Sequence, residues 1–251
     1  MGLIKKIIKK IKGIDIEYSY NIYENGEFEL MKKISKLKLK EIFDVGCHQG
    51  EWSLALSNLT EENKIHTFEI SNSNFKILEK KLNKNKFINN NYGLSCTDGI
   101  IDYKDYGDGS QINTSIIQSG FHDDYSKFNI KKANVKSGDT YCKEKNIKFI
   151  DFLKIDTEGS EHLVLQGFSN MLSQNNIRLI QFEYGYANGD AKFLMKDFFN
   201  FFMNKNYIVA KLRKKIRFEG WNYSFNDFNS GPNYIAINKD DFEIKSILKK
   251  N

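Results

Sequence analysis

The sequence predicts one α/β domain, with a mainly parallel sheet and helices on both of its faces. Three observations support this prediction. Short apolar, β-branched segments alternate with segments of helical periodicity from residue 41 onward. No internal repeat and no linker rich in Pro, Ser or Gly divides the 251 residues. Hydrophobic residues make up 40% of the chain, which is enough for one large core at this length.

The first 40 residues predict a helical extension in front of the sheet. In residues 1–14, isoleucine and leucine recur at helical spacing and lysines fill the opposite face. Such a helix either lies on an anionic membrane surface or packs on the body or on a second subunit, and we favour packing. Residues 24–40 predict a second helix whose apolar side chains face inward.

Strands and helices then alternate through a domain that spans residues 41–239. The predicted strands are 41–45, 64–69, 87–90, 149–156 and 178–183, followed by two late strands at 207–212 and 233–237. The predicted helices are 51–59, 72–82, 158–173 and 191–204. We expect the last strand to be antiparallel to the others and residues 240–251 to form a C-terminal tail.

The connection over residues 96–130 differs from the rest in being rich in Gly, Asp, Ser and Tyr. A compact α/β fold needs only a short connection here, and long connections are usually functional or disordered. We therefore predict a short hairpin plus a lid over the acceptor site, in which His122 is a minor candidate for a catalytic base.

Composition excludes several classes of protein. No segment approaches the ~18–20 apolar residues of a membrane span, and the mean hydropathy is −0.54. The three cysteines are too far apart for a CxxC site and odd in number, so a reducing cytoplasm is predicted. Five lysines in the first twelve residues account for most of the net charge of +6. The remaining body is nearly neutral, which argues against a nucleic-acid partner.

The segment from Asp44 to Gly50 is typical of a strand that runs into a glycine-bearing turn and then a helix. Glycines let the backbone approach a ligand closely, and a helix N-terminus offers free N–H groups. The second predicted strand ends in Glu69, at the place where Rossmann-type sheets bind ribose hydroxyls. Although the turn lacks the GxGxxG pattern, the combination favours an adenosine-containing cofactor over a plain turn with a surface glutamate.

A wider pattern makes the prediction more specific. The chain contains, in this order, DVGCHQG, HTFEIS, NYGLS, DFLKIDTEGSEHLVLQGF and IQFEY. Together these segments resemble the FkbM family of O-methyltransferases, and the resemblance covers roughly residues 41–185. The chain departs from the usual family pattern at Cys47-His48 and at Ile70-Ser71, while the glycines and Glu69 are intact. The resemblance implies a Rossmann-like class I methyltransferase sheet.

The resemblance also implies S-adenosyl-L-methionine as the cofactor. Gly46 and Gly50 would then line its methionine and ribose portion, and Glu69 would bind the ribose diol. The other cofactor-binding residues that the resemblance implies are Asp44, His48, Tyr92, Gly93 and Leu94.

Candidate catalytic residues follow two neighbouring predicted strands. Asp156 ends one strand and Glu183 ends the next, and Glu158 and His162 follow Asp156 closely. Because ligands bind at the carboxyl ends of parallel strands, these groups are expected near the methyl donor. They would act either as a general base with a raised pKa or as ligands of Mg²⁺, with Asp156 and Glu183 holding the metal. We favour the metal-free base, with Asp156 first, and His162 can equally be a packed helix residue.

The loop between the two late strands is a candidate acceptor site. Trp221 and Tyr223, with asparagines between them, suit stacking on a sugar face plus hydrogen bonds to hydroxyls. An equally good interpretation is a hydrophobic plug under a long loop. Arg213 and Arg217 would pair with a diphosphate if the acceptor is a nucleotide sugar, or else form a solvated strand end.

The sequence thus predicts S-adenosylmethionine-dependent O-methylation of a sugar or nucleotide-linked sugar. The resemblance implies surface-polysaccharide or natural-product tailoring. The Lys-, Asn- and Ile-rich composition is typical of an AT-rich bacterial genome, and this favours surface polysaccharide or capsule biosynthesis of the two. A non-sugar natural product is an alternative acceptor, and a non-catalytic, membrane-peripheral binding module is an alternative function. Methylation of nitrogen is disfavoured, because enzymes of this class usually carry a Pro-Pro-Tyr/Phe motif and this chain has only Pro232.

Overall fold

The computed structural model describes residues 19, 21–115, 127–212 and 233–249. Several predicted features lie outside these residues, namely the helix over 1–14, the loop with Trp221 and Tyr223, the basic pair Arg213 and Arg217, and His122.

The described residues form the predicted α/β fold around a mainly parallel sheet. Its strands are β1 (Glu41–Val45), β2 (Lys64–Phe68), β3 (Phe87–Asn90), β7 (Ile150–Ile155), β8 (Ile177–Glu183), β9 (Tyr207–Lys211) and β10 (Asn233–Asn238). They are ordered β3-β2-β1-β7-β8-β10-β9. Neighbours are parallel from β3 to β8, and β10 is antiparallel to both β8 and β9. The predicted antiparallel last strand is confirmed.

A smaller sheet, which the sequence analysis missed, fills part of the 96–130 connection. Its strands are β4 (Gly93–Ser95), β5 (Gly99–Asp105) and β6 (Asn129–Ser137), in the order β4-β6-β5. The predicted hairpin is present as the antiparallel pair β5 and β6, but it is longer than expected, with seven residue pairs from Gly99↔Val135 to Asp105↔Asn129. Most of β6 is exposed, so its sequence has no apolar alternation to mark it as a strand.

Helices cover both faces of the main sheet. They are α1 (Glu27–Ile34), α2 (Glu51–Ser57), α3 (Asn72–Lys81), α4 (Gly138–Glu144), α5 (Glu161–Gly167), α6 (Ser169–Ser173), α7 (Tyr186–Asp190), α8 (Met195–Met203) and α9 (Phe242–Lys249). Helix α9 lies in the segment that we expected to be a tail, and its buried Ile244 and Leu248 belong to the same hydrophobic cluster as residues of α1.

Two predicted helices are shorter than expected, for reasons that lie in tertiary contacts. The helix predicted over 24–40 ends at Ile34, and the Asp151 carboxylate accepts the backbone N–H groups of Lys40 and Glu41 at the entry to β1. The helix predicted over 158–173 is interrupted at Phe168, and the Asp139 carboxylate caps the second piece at the N–H of Asn170, 2.8 Å away.

Polar residues break the apolar pattern on one face of the main sheet. On this face Ile42, Phe152 and Leu179 are fully buried in the cluster that includes α1. Two residues further along the same strands lie Asp44, Lys154 and Gln181, all buried and paired in register across β1, β7 and β8. The polar row therefore lies just below the carboxyl ends of the strands. Within the described part of the chain, every helix is too short or too polar to cross a membrane.

Candidate active site

Two adjoining cavities open at the carboxyl ends of the central strands. The first has a volume of about 600 Å³ and lies toward β2 and the small sheet. The second has a volume of about 770 Å³ and lies toward α1 and β8. Both are lined by Gly46, His48, Gln111, Asp156 and Glu158, so they meet along one boundary.

Gly46 permits the close approach that forms this boundary. Its φ of +75° lies in the left-handed region, and a Cβ on it would stand 1.8 Å from the backbone oxygen of Asp156. The backbone N–H of Asp156 donates to the carbonyl of Val45 at 2.9 Å, which ties the ends of β1 and β7 together. Any side chain at residue 46 would therefore push these two strand ends apart.

Glu69 projects into the first cavity from the end of β2. Its carboxylate is 6% exposed, and one of its oxygens accepts the N–H of Ser71 at 2.7 Å. Burial raises the pKa of Glu69 to about 7, against the lowering effects of that hydrogen bond and of His48. This buried acceptor lies where the sequence predicted a carboxylate for a ribose diol.

The rest of the first cavity is largely apolar on the side of the small sheet. This wall is formed by Phe68, Ile70, Leu94, Ile101 and Val135, and Gly93 adds a surface without a side chain. A flat apolar slot next to a carboxylate fits a nucleoside, whose base is apolar on its faces and whose ribose carries two hydroxyls.

Residues 106–115, which we name the strap, cross over the first cavity. The strap supplies Ser110, Gln111, Asn113 and Ser115 to its lining. Two contacts hold the strap in place: His48 Nε2 lies 3.1 Å from the Gly109 backbone oxygen, and the Thr114 hydroxyl donates to the Glu158 backbone carbonyl at 2.6 Å. A lid was predicted over the acceptor site. The described part of that connection instead lines the first cavity, on the predicted cofactor side.

Lys154 organises the second cavity. Its ammonium is 2.9 Å from Asp156 Oδ2 and 3.5 Å from Asp44 Oδ1, and Asp44 also accepts the Ser53 hydroxyl at 2.7 Å. Burial lowers the pKa of Lys154, but the charges of Asp156, Asp44 and Glu27 have the larger effect and raise it to well above its usual value. Lys154 was not among the predicted site residues, although a lysine within an otherwise apolar strand is a signal that the sequence contains.

Three carboxyl groups face one another at the mouth of the second cavity. Asp156, Glu158 and Glu183 each offer an oxygen within 4.8 Å of the others. Burial and the Asp156 charge raise the pKa of Glu158 and of Glu183 well above the usual value. Burial also acts to raise the pKa of Asp156, but Lys154 and a hydrogen bond with Glu183 lower it overall. Asp156, which was the first candidate for a base with a raised pKa, is therefore the carboxyl group that stays ionised.

His48 borders both cavities in a left-handed backbone conformation, with φ of +49°. Burial lowers the pKa of His48, but its contacts with Glu51 and the Gly109 carbonyl raise it overall. The His48 imidazole, with its raised pKa, thus lies between the predicted cofactor site and the acidic groups.

Other predicted site residues lie outside the lining of both cavities. Gly50 begins α2, and a Cβ there would stand 2.7 Å from the Leu82 side chain. Asp44 is buried beneath the site. Tyr92 donates to Asn90 Oδ1 at 3.0 Å. His162 stacks on Phe193 with ring centroids 4.7 Å apart, as a packed helix residue would.

Glu161 has a structural role. It is 1% exposed, and its carboxylate accepts the backbone N–H groups of Thr157 at 2.7 Å and of Gly159 at 3.1 Å. It also accepts the Asn188 amide at 2.5 Å. These bonds fix the turn that carries Glu158, whose φ of +50° is unusual for a side-chain-bearing residue.

The model of the methyltransferase FkbM domain matches residues 44–209, more than half of the chain. This range contains both strand ends at the boundary of the cavities, the strap and all three facing carboxyl groups. A comparison with curated proteins gives no match.

Several solved methyltransferases have similar structures at low sequence identity. One is a methyltransferase FkbM from Methylobacillus flagellatus KT (14% identity, TM-score 0.49), where the alignment covers 93% of this chain and 59% of that one. Another is an O-methyltransferase from Bacillus cereus in complex with SAH (11%, TM-score 0.45, 93% and 88%). A third is precorrin-6y C5,15-methyltransferase from Geobacter metallireducens GS-15 (12%, TM-score 0.41, 90% and 93%). The chain thus spans about three fifths of the length of the Methylobacillus protein.

Proposed function

The chain belongs to the methyltransferase FkbM family, and we propose that it transfers the methyl group of S-adenosyl-L-methionine to a hydroxyl group of a sugar or nucleotide-linked sugar. The observation that carries the proposal is the pair of adjoining cavities, which meet at Gly46, Asp156 and Glu158. One cavity suits a nucleoside and the other is rich in hydrogen-bonding groups. A methyl transferase needs both ligands to meet at such a boundary.

The residues of the first cavity fit the cofactor. Glu69 offers a buried acceptor for the ribose diol, and the apolar wall with Gly93 and Leu94 accommodates the adenine ring. Gly46, where a Cβ would overlap the Asp156 backbone oxygen, lets the two strand ends that border this cavity meet. When bound, S-adenosylmethionine supplies an electrophilic methyl group on a sulfonium, which needs no further activation by the protein.

The chain's own residues then orient the acceptor and remove its proton. As the new carbon–oxygen bond forms, the acceptor hydroxyl becomes strongly acidic, so even a weakly basic carboxylate can accept its proton. Asp156 stays ionised because of Lys154, and it borders both cavities. We assign the proton to Asp156, with Glu158 and Glu183 beside it and S-adenosylhomocysteine as the leaving product.

A metal-free mechanism is favoured over one that uses Mg²⁺. The three facing carboxyl groups have the chemistry of a hard-cation site. However, the Lys154 ammonium already contacts one oxygen of Asp156 at 2.9 Å. This ammonium supplies the positive charge that a metal would otherwise bring to the same carboxylate.

We further propose a role in bacterial surface polysaccharide biosynthesis, based on the composition and the family. Trp221 and Tyr223 remain candidates for stacking on the sugar ring. A non-sugar natural product is the alternative acceptor.

The proposal is tested by incubating the full chain with S-adenosylmethionine labelled in its methyl group and a panel of free and nucleotide-linked sugars. We expect label in a sugar product that survives alkaline hydrolysis, because a methyl ether is stable to base and a methyl ester is not. Label that is lost on alkaline treatment, or that appears only in non-sugar acceptors, would contradict the proposed acceptor.

A further inference from the structure

One wall of the second cavity comes from outside the region that the family model matches. Ile22, Asn25 and Glu27 line the cavity from the segment that precedes β1, whereas the match begins at residue 44. Asn233, the first residue of β10, lines it as well. These side chains lie on the extension and the late strand, outside the matched range, so they are candidates for selecting the acceptor.

Glu27 fixes this wall in one arrangement. Its carboxylate is 5% exposed and accepts the side-chain amides of Asn25 at 2.7 Å, Gln181 at 2.7 Å and Asn233 at 3.3 Å. The Asn25 oxygen in turn accepts the Glu27 backbone N–H at 3.0 Å. Each amide nitrogen carries a second hydrogen, so Asn25 and Asn233 still have a donor to offer a ligand.

Trp52 adds an independent sign that a ligand oxygen belongs here. Its side chain lines the second cavity and is 4% exposed. The indole N–H can only donate, and it has no hydrogen-bond partner among the described residues. Buried donors are nearly always paired, so an oxygen atom of a bound molecule or of an ordered water is the expected partner.

The charged groups around the cavity disfavour an anion. Five acidic side chains line it, namely Glu27, Glu51, Asp156, Glu158 and Glu183. The basic groups that line it are Lys154, already bound to Asp156 and Asp44, and His48, which contacts Glu51. A carboxylate or phosphate on the acceptor would lie beside the ionised Asp156 and Glu51, with no described basic group of the lining left to pair with it, whereas hydroxyl groups can both donate to the acids and accept from the amides and the indole.

We infer that the second cavity is the acceptor subsite and that it selects an uncharged, polyhydroxylated group. Trp52, Asn25 and Asn233 donate hydrogen bonds to that group, and Glu27 acts as a positioning residue for the two asparagines. This inference rests on the proposed function. It also implies that a diphosphate, where the acceptor carries one, lies outside this cavity.

The first test measures transfer of labelled methyl to methyl glycosides of glucose, galactose and mannose, each supplied as the neutral sugar, as its uronate and as its 6-phosphate. We expect transfer to the best neutral glycoside to be at least tenfold faster than to its two charged counterparts. Equal or faster transfer to a uronate or phosphate, or no transfer to any neutral sugar, would overturn the inference.

The second test separates the acceptor subsite from the cofactor site. In Glu27→Gln we expect the KM for the neutral acceptor to rise at least fivefold, while the Kd for S-adenosylhomocysteine stays within twofold. Glu29→Gln is the matched control, because Glu29 lies on the same helix, is 44% exposed and pairs only with Lys32 in the described contacts. It should change neither value.

A second variant keeps the inference falsifiable if Glu27→Gln fails to fold. Ile22 is only partly buried, so Ile22→Trp should fill the cavity, reduce transfer at least tenfold and leave S-adenosylhomocysteine binding unchanged. Unchanged transfer in this variant would overturn the inference, as would a Glu27→Gln variant that weakens S-adenosylhomocysteine binding more than fivefold. Failure of the wild-type protein to bind S-adenosylhomocysteine would instead refute the proposed function itself.

Discussion

The two cavities share a boundary but differ in what holds them together. The first is shaped by backbone and apolar side chains, with Glu69 as its one buried carboxylate and the strap above it. The second is shaped by charges, with Lys154 set among acidic groups and an amide network around Glu27. A cavity of the first kind suits a ligand that is the same in every member of a family. One of the second kind suits a ligand whose polar groups must be recognised one by one.

The largest effect is expected at the residue on which both cavities depend. Gly46→Ala should lower the free energy of unfolding by more than about 3 kcal/mol, because a left-handed residue costs about 1–2 kcal/mol and the new Cβ would also overlap the Asp156 oxygen. It should also abolish S-adenosylhomocysteine binding. Urea unfolding and calorimetry measure the two effects.

The control for this variant is Gly107→Ala. Gly107 also has a positive φ, +108°, but its Cβ would meet nothing within 4 Å. It should show only the conformational cost and should keep ligand binding. Equal losses in the two variants would mean that the contact between β1 and β7 is unimportant.

The next largest effect should separate the two cavities. Asp156→Asn should reduce turnover about 10³-fold, as expected for loss of a general base, while S-adenosylhomocysteine binding stays within about threefold. The matched control is Asp151→Asn at the other end of β7, where the carboxylate binds only backbone N–H groups. That variant should be less stable but should keep its turnover per folded molecule. Full activity in Asp156→Asn would remove Asp156 from the mechanism.

Lys154→Met tests the charge balance of the second cavity through stability. Breaking a buried ion pair typically costs about 3–5 kcal/mol, because the remaining charges lose their partner. The surface pair Lys132–Asp102, with Lys132 75% exposed, gives a control in Lys132→Met, which should cost less than about 1 kcal/mol. Urea unfolding at pH 7 measures both.

The pH dependence of this variant has a definite sign. Lys154 holds the pKa of Asp156 below its usual value, so the ionised Asp156 stabilises the folded wild type. This contribution to stability is present above the usual carboxyl pKa and is lost as the pH falls through the lowered pKa of Asp156. Without the ammonium, the pKa values of Asp156 and Asp44 rise and both groups protonate more readily. The stability deficit of Lys154→Met should therefore shrink as the pH falls from 7 toward 4. A deficit that stays constant would contradict the assigned ion pair.

The smallest effect is expected from metal removal. If Lys154 supplies the positive charge at Asp156, then EDTA should change turnover by less than about twofold, and added Mg²⁺ should not raise it. Loss of activity with EDTA that Mg²⁺ restores would instead assign the three facing carboxyl groups to a metal.

The residues whose positions could be predicted from the sequence are those that lie directly at strand ends. Glu69 and Asp156 directly follow β2 and β7, and Glu183 is the last residue of β8. Apolar residues mark all three strands clearly, and parallel strands bring their carboxyl ends to one edge. Their position could therefore be predicted without knowing the packing. Their protonation could not, because the low pKa of Asp156 depends on the distance to Lys154.

The lining of the second cavity could largely not be predicted, because it also depends on how distant parts of the chain pack together. Glu27 and Trp52 lie on helices, and in the sequence alone each is equally well explained as an ordinary residue of a packed helix. Only the packing of α1 against β8 and β10 brings Glu27 to Gln181 and Asn233. Gln111 reaches the boundary through the strap, whose path no local pattern indicates.

Calorimetric titration with S-adenosylhomocysteine, on the wild type and on Glu69→Ala, tests the central claim most directly. From the first cavity we predict a Kd in the micromolar range for the wild type. Without the carboxylate we predict binding at least about 100-fold weaker, because the charge-assisted hydrogen bonds to two hydroxyls are lost. No detectable heat with the wild type would contradict the account, as would undiminished affinity in Glu69→Ala.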